Sequence, residues 1–255
     1  MKKITLLIIL IFTIGIYSQT MMRLWKGGVK IDSIAVTNDL KLTFTVPTSS
    51  FTCGTSTVDY SGKTYHTVQI GTQCWLRENL DVGTRINGSL EQTNNSIIEK
   101  YCYNDNTAYC DTNGGLYQWA EAVQYQNGAT NTTSPNPAFT GNVQGICPAG
   151  WHIPTNAEDS TLTTAVNNSG NSLKAVGQGT GSGAGTNTSG FSALFAGDRT
   201  YNGYFDILGY WTFFWSSTNA TGASLMSLDY SDSSINLGNG GNKVSGFSIR
   251  CVKDF

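Results

Sequence analysis

The spacing of apolar residues predicts helices in the middle of the chain and strands in its last part. In NGGLYQWAEAVQY, Leu116, Trp119 and Val123 recur at helical intervals, so a helix is expected over about residues 115–125. From Phe191 onward the apolar period is two. Five segments there predict short strands separated by Gly, Asn and Ser turns: FSALFAG, GYWTFFWSST, SLMSLDYS, SSINLG and GFSIRCVKD. This order of elements indicates an α+β domain rather than alternating β-α units.

A second helix is predicted after Pro154, in PTNAEDSTLTTAV, with NNSG at its end. Thr155 and Glu158 stand as T-x-x-E, the capping box in which each side chain binds a free backbone N–H at a helix start. Asp159 is expected to add negative charge to that first turn, which is favourable against the helix dipole. His152 lies just before the helix, and the chain contains no C-x-x-C or H-x-x-x-H spacing. We therefore expect a partly buried imidazole hydrogen-bonded to the backbone rather than a metal ligand or a catalytic base.

The first residues have the pattern of an export signal. Two lysines precede an apolar run over residues 4–17, so residues 1–18 are predicted to be a signal peptide. An uncleaved anchor is the alternative, although the run is shorter than the about 20 residues of a membrane span. Residues 19–52 predict a β-hairpin and a linker, with strands in KIDSIAV and LKLTFTV joined across Thr37-Asn38-Asp39. The main domain is then expected over residues 53–255, with a strand over Thr64–Ile70 near its start. No membrane span is expected after cleavage.

Composition and charge narrow the class of partner. Charged residues are 13% of the chain, about half the ordinary share, and the net charge is −2. Because a phosphate backbone is bound by a basic surface, nucleic acid is not expected as a partner. Few charges with many aromatic and small polar residues are typical of an extracellular domain rich in loops. The glycine-rich run over 177–189 predicts a loop with little capacity to pack.

Six cysteines behind an export signal predict disulfides in an oxidising compartment. Several pairings are open in principle. Proximity along the chain favours Cys53–Cys74 and Cys102–Cys110, which leaves Cys147–Cys251 to close the largest loop. Metal binding is the competing interpretation, but the cysteines lack the spacing of metal sites. No metal site and no cofactor is expected.

Several motifs, in the same order along the chain, are similar to one family. They are DYSGKTYHTVQIGTQCWLRENL, YCYNDNTAYCDTNGGLYQWAEA, GICPAGWHIPTNAED, SGFSALFAGDR, YWTFFWSST and GFSIRCVKD. Together they resemble the Fibrobacter succinogenes major paralogous domain over about residues 53–255, a family of secreted bacterial proteins of Bacteroidetes type. The resemblance implies a C-type lectin-like fold with two helices and a looped, mostly antiparallel sheet, preceded here by the small N-terminal β-hairpin. It also implies a disulfide from a helix-proximal cysteine to the last strand, which matches Cys147 and Cys251.

The chain departs from the calcium-dependent lectins of that fold. It lacks their Glu-Pro-Asn or Gln-Pro-Asp triplet, and Trp215-Ser216-Ser217 stands where they carry Trp-Asn-Asp. Calcium-mediated sugar binding is therefore disfavoured.

The most favoured function is a secreted or surface-exposed binding module rather than an enzyme. The stretch 199–244 interleaves aromatic residues with Asn, Ser, Gly and Asp, a composition typical of recognition surfaces. The expected ligand is a glycan or a surface protein, and the expected location is extracellular, at the cell surface or in the periplasm. The candidate ligand-binding residues are Tyr201, Tyr204, Tyr210, Trp211, Tyr230, Asp232 and Asn236.

Three alternatives stay open at this level. One is a structural cell-surface component without a specific ligand. Another is diversified recognition, because SLDYSDSSINLGNGGNK resembles segments that retroelements mutate in some lectin-like proteins. The third is an enzyme related to the formylglycine-generating fold, which uses redox-active cysteines. Against the enzyme, all six cysteines have expected partners and no catalytic constellation is located by spacing. Its candidate acids are Glu78, Asp198 and Asp206, and Glu78 is equally explained as a buried carboxylate that accepts loop N–H groups.

Overall fold

A computed structural model describes residues 21–26, 29–35, 51–219 and 222–254 of the protein, with side chains from residue 51 onward. The chain divides into two compact units, Met1–Ser50 and Phe51–Phe255. The predicted signal peptide over 1–18 lies outside the described residues. Within the described part, no helix has both the length and the apolar character that a membrane span requires.

The described residues of the first unit form two antiparallel strands, β1 (Met21–Lys26) and β2 (Val29–Ala35). This pair of strands differs from the predicted hairpin, in which residues 30–36 pair with residues 40–46. Its turn and second strand lie outside the described residues, so that hairpin stays a prediction.

The second unit contains twelve short strands and four short α-helices in its described residues. The strands are β3 (Thr57–Tyr60), β4 (Lys63–Ile70), β5 (Gln73–Leu76), β6 (Thr84–Arg85), β7 (Glu99–Lys100), β8 (Trp151–His152), β9 (Asp198–Arg199), β10 (Phe205–Asp206), β11 (Trp211–Asn219), β12 (Ala223–Asp229), β13 (Asn236–Gly241) and β14 (Val252–Lys253). The helices are α1 (Thr107–Asn113), α2 (Trp119–Ala122), α3 (Asn156–Ala165) and α4 (Gly170–Leu173).

The C-terminal strand lies inside the main sheet. This five-stranded sheet has the order β3-β4-β5-β14-β8, and its strand pairs are antiparallel. Val252 of β14 pairs with Trp75 on one side and with His152 on the other. The last residues of the chain must therefore insert between two earlier strands, so the sheet depends on contacts between distant parts of the sequence.

A second antiparallel sheet has the order β11-β12-β13. The pair β9–β10 is antiparallel as well, whereas β6–β7 is parallel. The fold is thus α+β, with few helices and mostly antiparallel, curled sheets, and the predicted class is confirmed at that level. Two apolar clusters fill it, one around Trp119 and Trp215 and the other around Trp75 and Phe214.

The capping box predicted at Thr155 is present. Glu158 N donates to Thr155 Oγ1 at 3.3 Å, and Thr155 N donates to Glu158 Oε2 at 2.8 Å. Asn167 and Asn168 have φ angles of 53° and 57°. Because this left-handed conformation cannot continue a right-handed helix, α3 ends where NNSG predicts.

The predicted charge of Asp159 is wrong. Asp159 lies in the first turn of α3, but it is only 1% exposed, and its Oδ1 has no hydrogen-bond partner among the described residues. Burial, reinforced by the charge of Glu158, raises the pKa of the Asp159 carboxyl well above its usual value. A neutral carboxyl does not interact with the helix dipole as a charge.

The helix predicted over 115–125 is wrong for most of its length, and only α2 is helical. Leu116 pairs with Tyr101, and Tyr117 pairs with Phe247, in isolated antiparallel bridges. Leu116, one of the apolar residues that suggested a helical stripe, therefore lies in an extended, strand-like pairing and not in a helix. Cross-chain hydrogen bonds outweigh the local helical pattern here.

The helix α1 was not predicted. Asn106 caps its start by accepting a hydrogen bond from Ala108 N at 3.0 Å. Gly114 ends it with a φ of 82°. An N-cap asparagine followed eight positions later by glycine is a signal that sequence reasoning could have used.

In the last part of the chain, β11, β12 and β13 confirm three of the five predicted strands. FSALFAG makes only isolated bridges, at Ala193 and Gly197, and GFSIRCVKD contributes only the short β14 and single bridges. Ser192 and Gly197 have φ angles of 58° and 65°, which interrupt an extended conformation.

All three predicted disulfides are present, Cys53–Cys74, Cys102–Cys110 and Cys147–Cys251. The third joins residues 104 positions apart, just before β8 and β14. It therefore ties together the two strands that the C-terminal insertion brings side by side.

The glycine-rich segment 177–189 packs closely, contrary to the prediction. A Cβ atom on Gly183 would lie 2.3 Å from the backbone oxygen of Tyr230. Lys174 is buried beneath the segment, and its ammonium donates to Asn171 Oδ1 at 3.1 Å, to Gly183 O at 2.9 Å and to Asp232 O. Glycine permits this close backbone approach, and the three hydrogen bonds of the lysine hold it.

Candidate functional site

Both faces of the sheet β11-β12-β13 reach the core, one in the Trp75 cluster and the other, at Trp215, in the Trp119 cluster. Phe214 of β11 pairs with Met226 of β12, and the two side chains lie in the cluster that contains Trp75. Since successive side chains of a strand point to opposite faces, Trp211, Phe213 and Trp215 share the other face.

That other face carries a row of aromatic rings that is buried at Trp215 and partly exposed toward the start of β11. Trp215 is fully buried, whereas Phe213 and Trp211 are half-buried. The rings of Trp211 and Phe213 are parallel, with centroids 5.9 Å apart and planes at 6°. Phe247 lies between Phe213 and Trp215, at centroid distances of 4.7 Å and 4.3 Å. The buried end thus anchors the row, and the Trp211 end presents an aromatic surface to solvent.

Polar residues of β12 and β13 lie beside this row, and of these Ser227 is buried, Asp229 is partly exposed and Asn236 is exposed. The register pairs Trp211 with Asp229, Phe213 with Ser227, and Ser227 with Asn236 of β13. Directly opposed residues of antiparallel strands point to the same face, with Cβ atoms about 5 Å apart. We call these five residues, Trp211, Phe213, Ser227, Asp229 and Asn236, the aromatic sheet face.

The hydrogen bonds of Asp229 orient its carboxylate. Oδ1 accepts from Ser231 N at 2.6 Å and from Ser231 Oγ at 2.7 Å. These bonds fix one carboxylate oxygen at the end of β12, and the other oxygen can accept a hydrogen bond from a ligand. The face therefore combines an apolar plane with at least one oriented hydrogen-bond acceptor.

The structure separates the seven residues predicted to bind a ligand. Trp211 and Asn236 belong to the aromatic sheet face. Tyr210, just before β11, and Tyr230, just after β12, contact each other edge to face, with ring centroids 4.9 Å apart. They are the chain neighbours of Trp211 and Asp229, so they are not part of the aromatic sheet face. Asp232 is exposed in the loop after β12, and its Oδ1 accepts from Ser234 N at 3.0 Å.

Tyr201 and Tyr204 lie in the turn between β9 and β10, with exposed fractions of 64% and 71%. The base of this hairpin is rigid. The buried Arg199 donates from Nε to Gly88 O at 2.8 Å and is ion-paired with Glu91 at 3.0 Å. The two tyrosines are therefore exposed aromatic residues on a fixed support.

Sequence reasoning missed Phe213, Ser227 and Asp229. The alternation of Trp211 with Phe213 was visible in the sequence, but which residues of β12 oppose them depends on the register. Ser227 and Asp229 also alternate along their segment. Pairing this segment with the one that contains Trp211 and Phe213 as a hairpin would have placed them opposite those two aromatic residues.

His152 is held by two carboxylates. The prediction that its imidazole is hydrogen-bonded to the backbone is wrong. The ring is 1% exposed, with Nδ1 at 2.7 Å from Asp254 Oδ1 and Nε2 at 2.8 Å from Glu158 Oε1. Burial lowers the pKa of His152, but the hydrogen bonds with Glu158 and Asp254 and their charges outweigh burial and raise the pKa above its usual value. Below this raised pKa both ring nitrogens carry protons, and the imidazolium joins α3 to the C-terminal residues.

Replacing His152 by Gln is expected to cost more stability at pH 6 than at pH 9, by about 1–2 kcal/mol. A histidine pKa that is raised on folding gives stability below the unfolded value of about 6.5, and this stability is lost as pH rises through the folded pKa. Urea unfolding of parent and variant at the two pH values measures the difference. His66→Gln is the matched control, because His66 is exposed, and it should cost little at either pH. Equal costs of His152→Gln at pH 6 and pH 9 would show a neutral imidazole.

The three candidate acids have different surroundings. Glu78 is partly exposed, and its carboxylate accepts from His66 N at 2.8 Å and contacts His66 Nδ1 at 2.9 Å. Asp198 and Asp206 pair across β9 and β10. Burial, with the charge of Asp206 second, raises the pKa of Asp198 to about 7. Across the described ranges, no three His, Cys, Asp or Glu side chains are grouped to hold a metal ion.

A family model described as Fibrobacter succinogenes major domain matches residues 68–253. It covers most of the chain and confirms the resemblance carried by the ordered motifs. Neither a curated protein nor a solved structure matches the chain.

Proposed function

Because the chain belongs to the Fibrobacter succinogenes major domain family, which has no established function, we propose its function from its own surface. It is a non-catalytic binding module, secreted or exposed on the cell surface, that binds a glycan through the aromatic sheet face. The domain has a C-type lectin-like fold. This assignment is supported by the disulfide from Cys147, ahead of α3, to Cys251, beside the C-terminal strand.

One observation carries this proposal: the half-buried, parallel pair Trp211 and Phe213 beside Asp229 and Asn236. Flat aromatic rings pack against the apolar faces of sugar rings, while carboxylate, hydroxyl and amide groups bind sugar hydroxyls. Because the row is anchored at buried Trp215, little conformational entropy is lost when a ligand covers its exposed end.

Export is supported by the three disulfides, since such bonds persist in oxidising compartments. The periplasm, the cell surface and the extracellular medium all satisfy this condition. The signal pattern over residues 1–18 points the same way.

Trp211→Ala is expected to weaken binding of the glycan that the parent protein selects from a glycan array by about 30-fold, the effect of a central hot-spot residue. Asn236→Ala, at an exposed position that should not disturb folding, is expected to weaken it about threefold to tenfold, since one hydrogen bond is lost. Titration calorimetry with the selected glycan measures both changes.

Tyr204→Ala is the matched control, because it removes an exposed aromatic residue that is not part of the aromatic sheet face. It should leave affinity unchanged. The proposal fails if no glycan on the array binds, or if Trp211→Ala and Asn236→Ala bind as tightly as the parent. Absence of any ligand would favour a structural role at the cell surface.

A further inference from the structure

A polar cleft of about 280 Å³ opens between β4, the segment after β5 and the end of α1. Its charged lining consists of three cations, Lys63, Arg77 and Arg250, and three carboxylates, Glu78, Asp81 and Asp111. None of its lining residues belongs to the aromatic sheet face, so the cleft is a separate feature of the domain.

Arg250 is a buried cation in the wall of this cleft, with 1% of its surface exposed. Its guanidinium donates from Nε to Asn79 Oδ1 at 3.0 Å, from Nη2 to the same oxygen, and from Nη1 to Leu76 O and Phe191 O. All of these acceptors are neutral. In the described part of the chain, Arg250 has no carboxylate ion pair, whereas the other buried arginine, Arg199, is paired with Glu91. Burial lowers the pKa of Arg250 to about 9.

The guanidinium of Arg250 keeps one N–H free. A guanidinium has five N–H donors, and the contacts above use four of them, which leaves one on Nη2. Lys174, also buried, differs because its three acceptors use all three of its N–H groups. A free N–H donor on a cation at a cleft wall is suited to an anion.

Arg77 is a second cation of the cleft without a carboxylate partner among the described residues. Its one side-chain hydrogen bond there is a long contact, 3.5 Å from Nη2 to Ser192 Oγ. Lys63, in contrast, is ion-paired with Asp81 and Asp111. The charge of Glu78 partly offsets the effect of burial on the pKa of Arg250, and the charge of Arg77 lowers that pKa, so the two guanidinium groups repel each other across the cleft. An anion between them would remove this repulsion.

We propose that the cleft binds a small carboxylate-bearing ligand, with the carboxylate between Arg77 and Arg250. Guanidinium groups bind carboxylates through paired hydrogen bonds. The volume lies at the lower end of ligand pockets, which favours a small molecule. Glu78, Asp81 and Asp111 also line the cleft, and their negative charge disfavours a dianion such as phosphate more strongly than a single carboxylate.

The test is a thermal unfolding series on the full protein at constant ionic strength, with acetate, D-glucuronate or L-alanine added and with chloride as the reference. A ligand that binds the folded state raises Tm in proportion to the logarithm of its concentration. At least one of the three carboxylates is expected to raise Tm. Arg77→Gln should weaken that binding about tenfold or more. D-glucose should give no shift, and any rise of Tm in inorganic phosphate, which stabilises folded proteins by exclusion from their surface, should be the same in Arg77→Gln as in the parent.

Arg85→Gln is the matched control, because Arg85 is exposed, is ion-paired with Asp105 and does not line the cleft. It should retain the parent response, and so should Trp211→Ala, which separates this site from the aromatic sheet face. The proposal is overturned if none of the three carboxylates raises Tm, if Arg77→Gln responds like the parent, or if phosphate binds as well as the carboxylates.

Discussion

Removing the Cys147–Cys251 disulfide by a double substitution to alanine is expected to lower the free energy of unfolding by about 4–5 kcal/mol. The bridge closes a loop of 104 residues, so its loss returns much conformational entropy to the unfolded chain. It also releases β14, which lies between β5 and β8 and depends on long-range contacts for its place. Denaturant unfolding of the oxidised parent and the variant measures the loss.

The control is the Cys102–Cys110 pair, whose residues are only 8 positions apart. Its removal is expected to cost about 2–3 kcal/mol, because a short loop restricts the unfolded chain less. If the long bridge proved no more stabilising than the short one, chain entropy would not be the main source of its effect. Free thiols at Cys147 and Cys251 in the folded, exported protein would contradict the pairing itself.

Asp159→Asn is expected to make the stability of the protein less sensitive to a rise in pH above about 4. The pKa of Asp159 is raised by burial, so the folded state holds a proton that the unfolded state releases above a pH of about 3.9. Stability of the parent therefore falls as pH rises from there until the folded pKa is passed, by about 1.4 kcal/mol per pH unit. An amide does not titrate, so the variant loses this slope, and its stability relative to the parent should rise with pH between the unfolded and the folded pKa of Asp159.

Unfolding free energies of parent and variant across this pH range give the comparison. Asp111→Asn serves as the control, since the Asp111 side chain is 73% exposed and its loss should not change the slope. Parallel pH profiles of the parent and Asp159→Asn would mean that Asp159 is ionised in the folded protein or finds a hydrogen-bond partner there.

Elements whose signals are local were predictable. The helix α3 follows from Thr155 and Glu158, whose side chains satisfy the backbone within one turn. The strands β11 and β12 follow from unbroken alternation. The helix expected over 115–125 failed because Leu116 and Tyr117 pair with distant segments, and a local pattern contains no information on those partners.

The candidate site was predictable only as a region. Composition directed attention to residues 199–244, and the aromatic sheet face lies within it. Strand parity then separated Tyr210 from Trp211, and register added Phe213, Ser227 and Asp229. The cleft had no sequence signal, since Arg77 and Arg250 are far apart in the chain, and only the fold buries Arg250 in the wall beside the exposed Arg77.

The amino-acid sequence by itself determined the family, the α+β class, the three cysteine pairs and the capped helix α3. Each of these depends on near neighbours, on spacing or on a series of motifs, and all are legible along the chain. Only the tertiary structure decided that β14 inserts between β5 and β8, that Asp159 is neutral, that two carboxylates hold His152, and which aromatic rings face solvent. These properties arise from desolvation and from pairing between distant residues, and both exist only once the chain has folded.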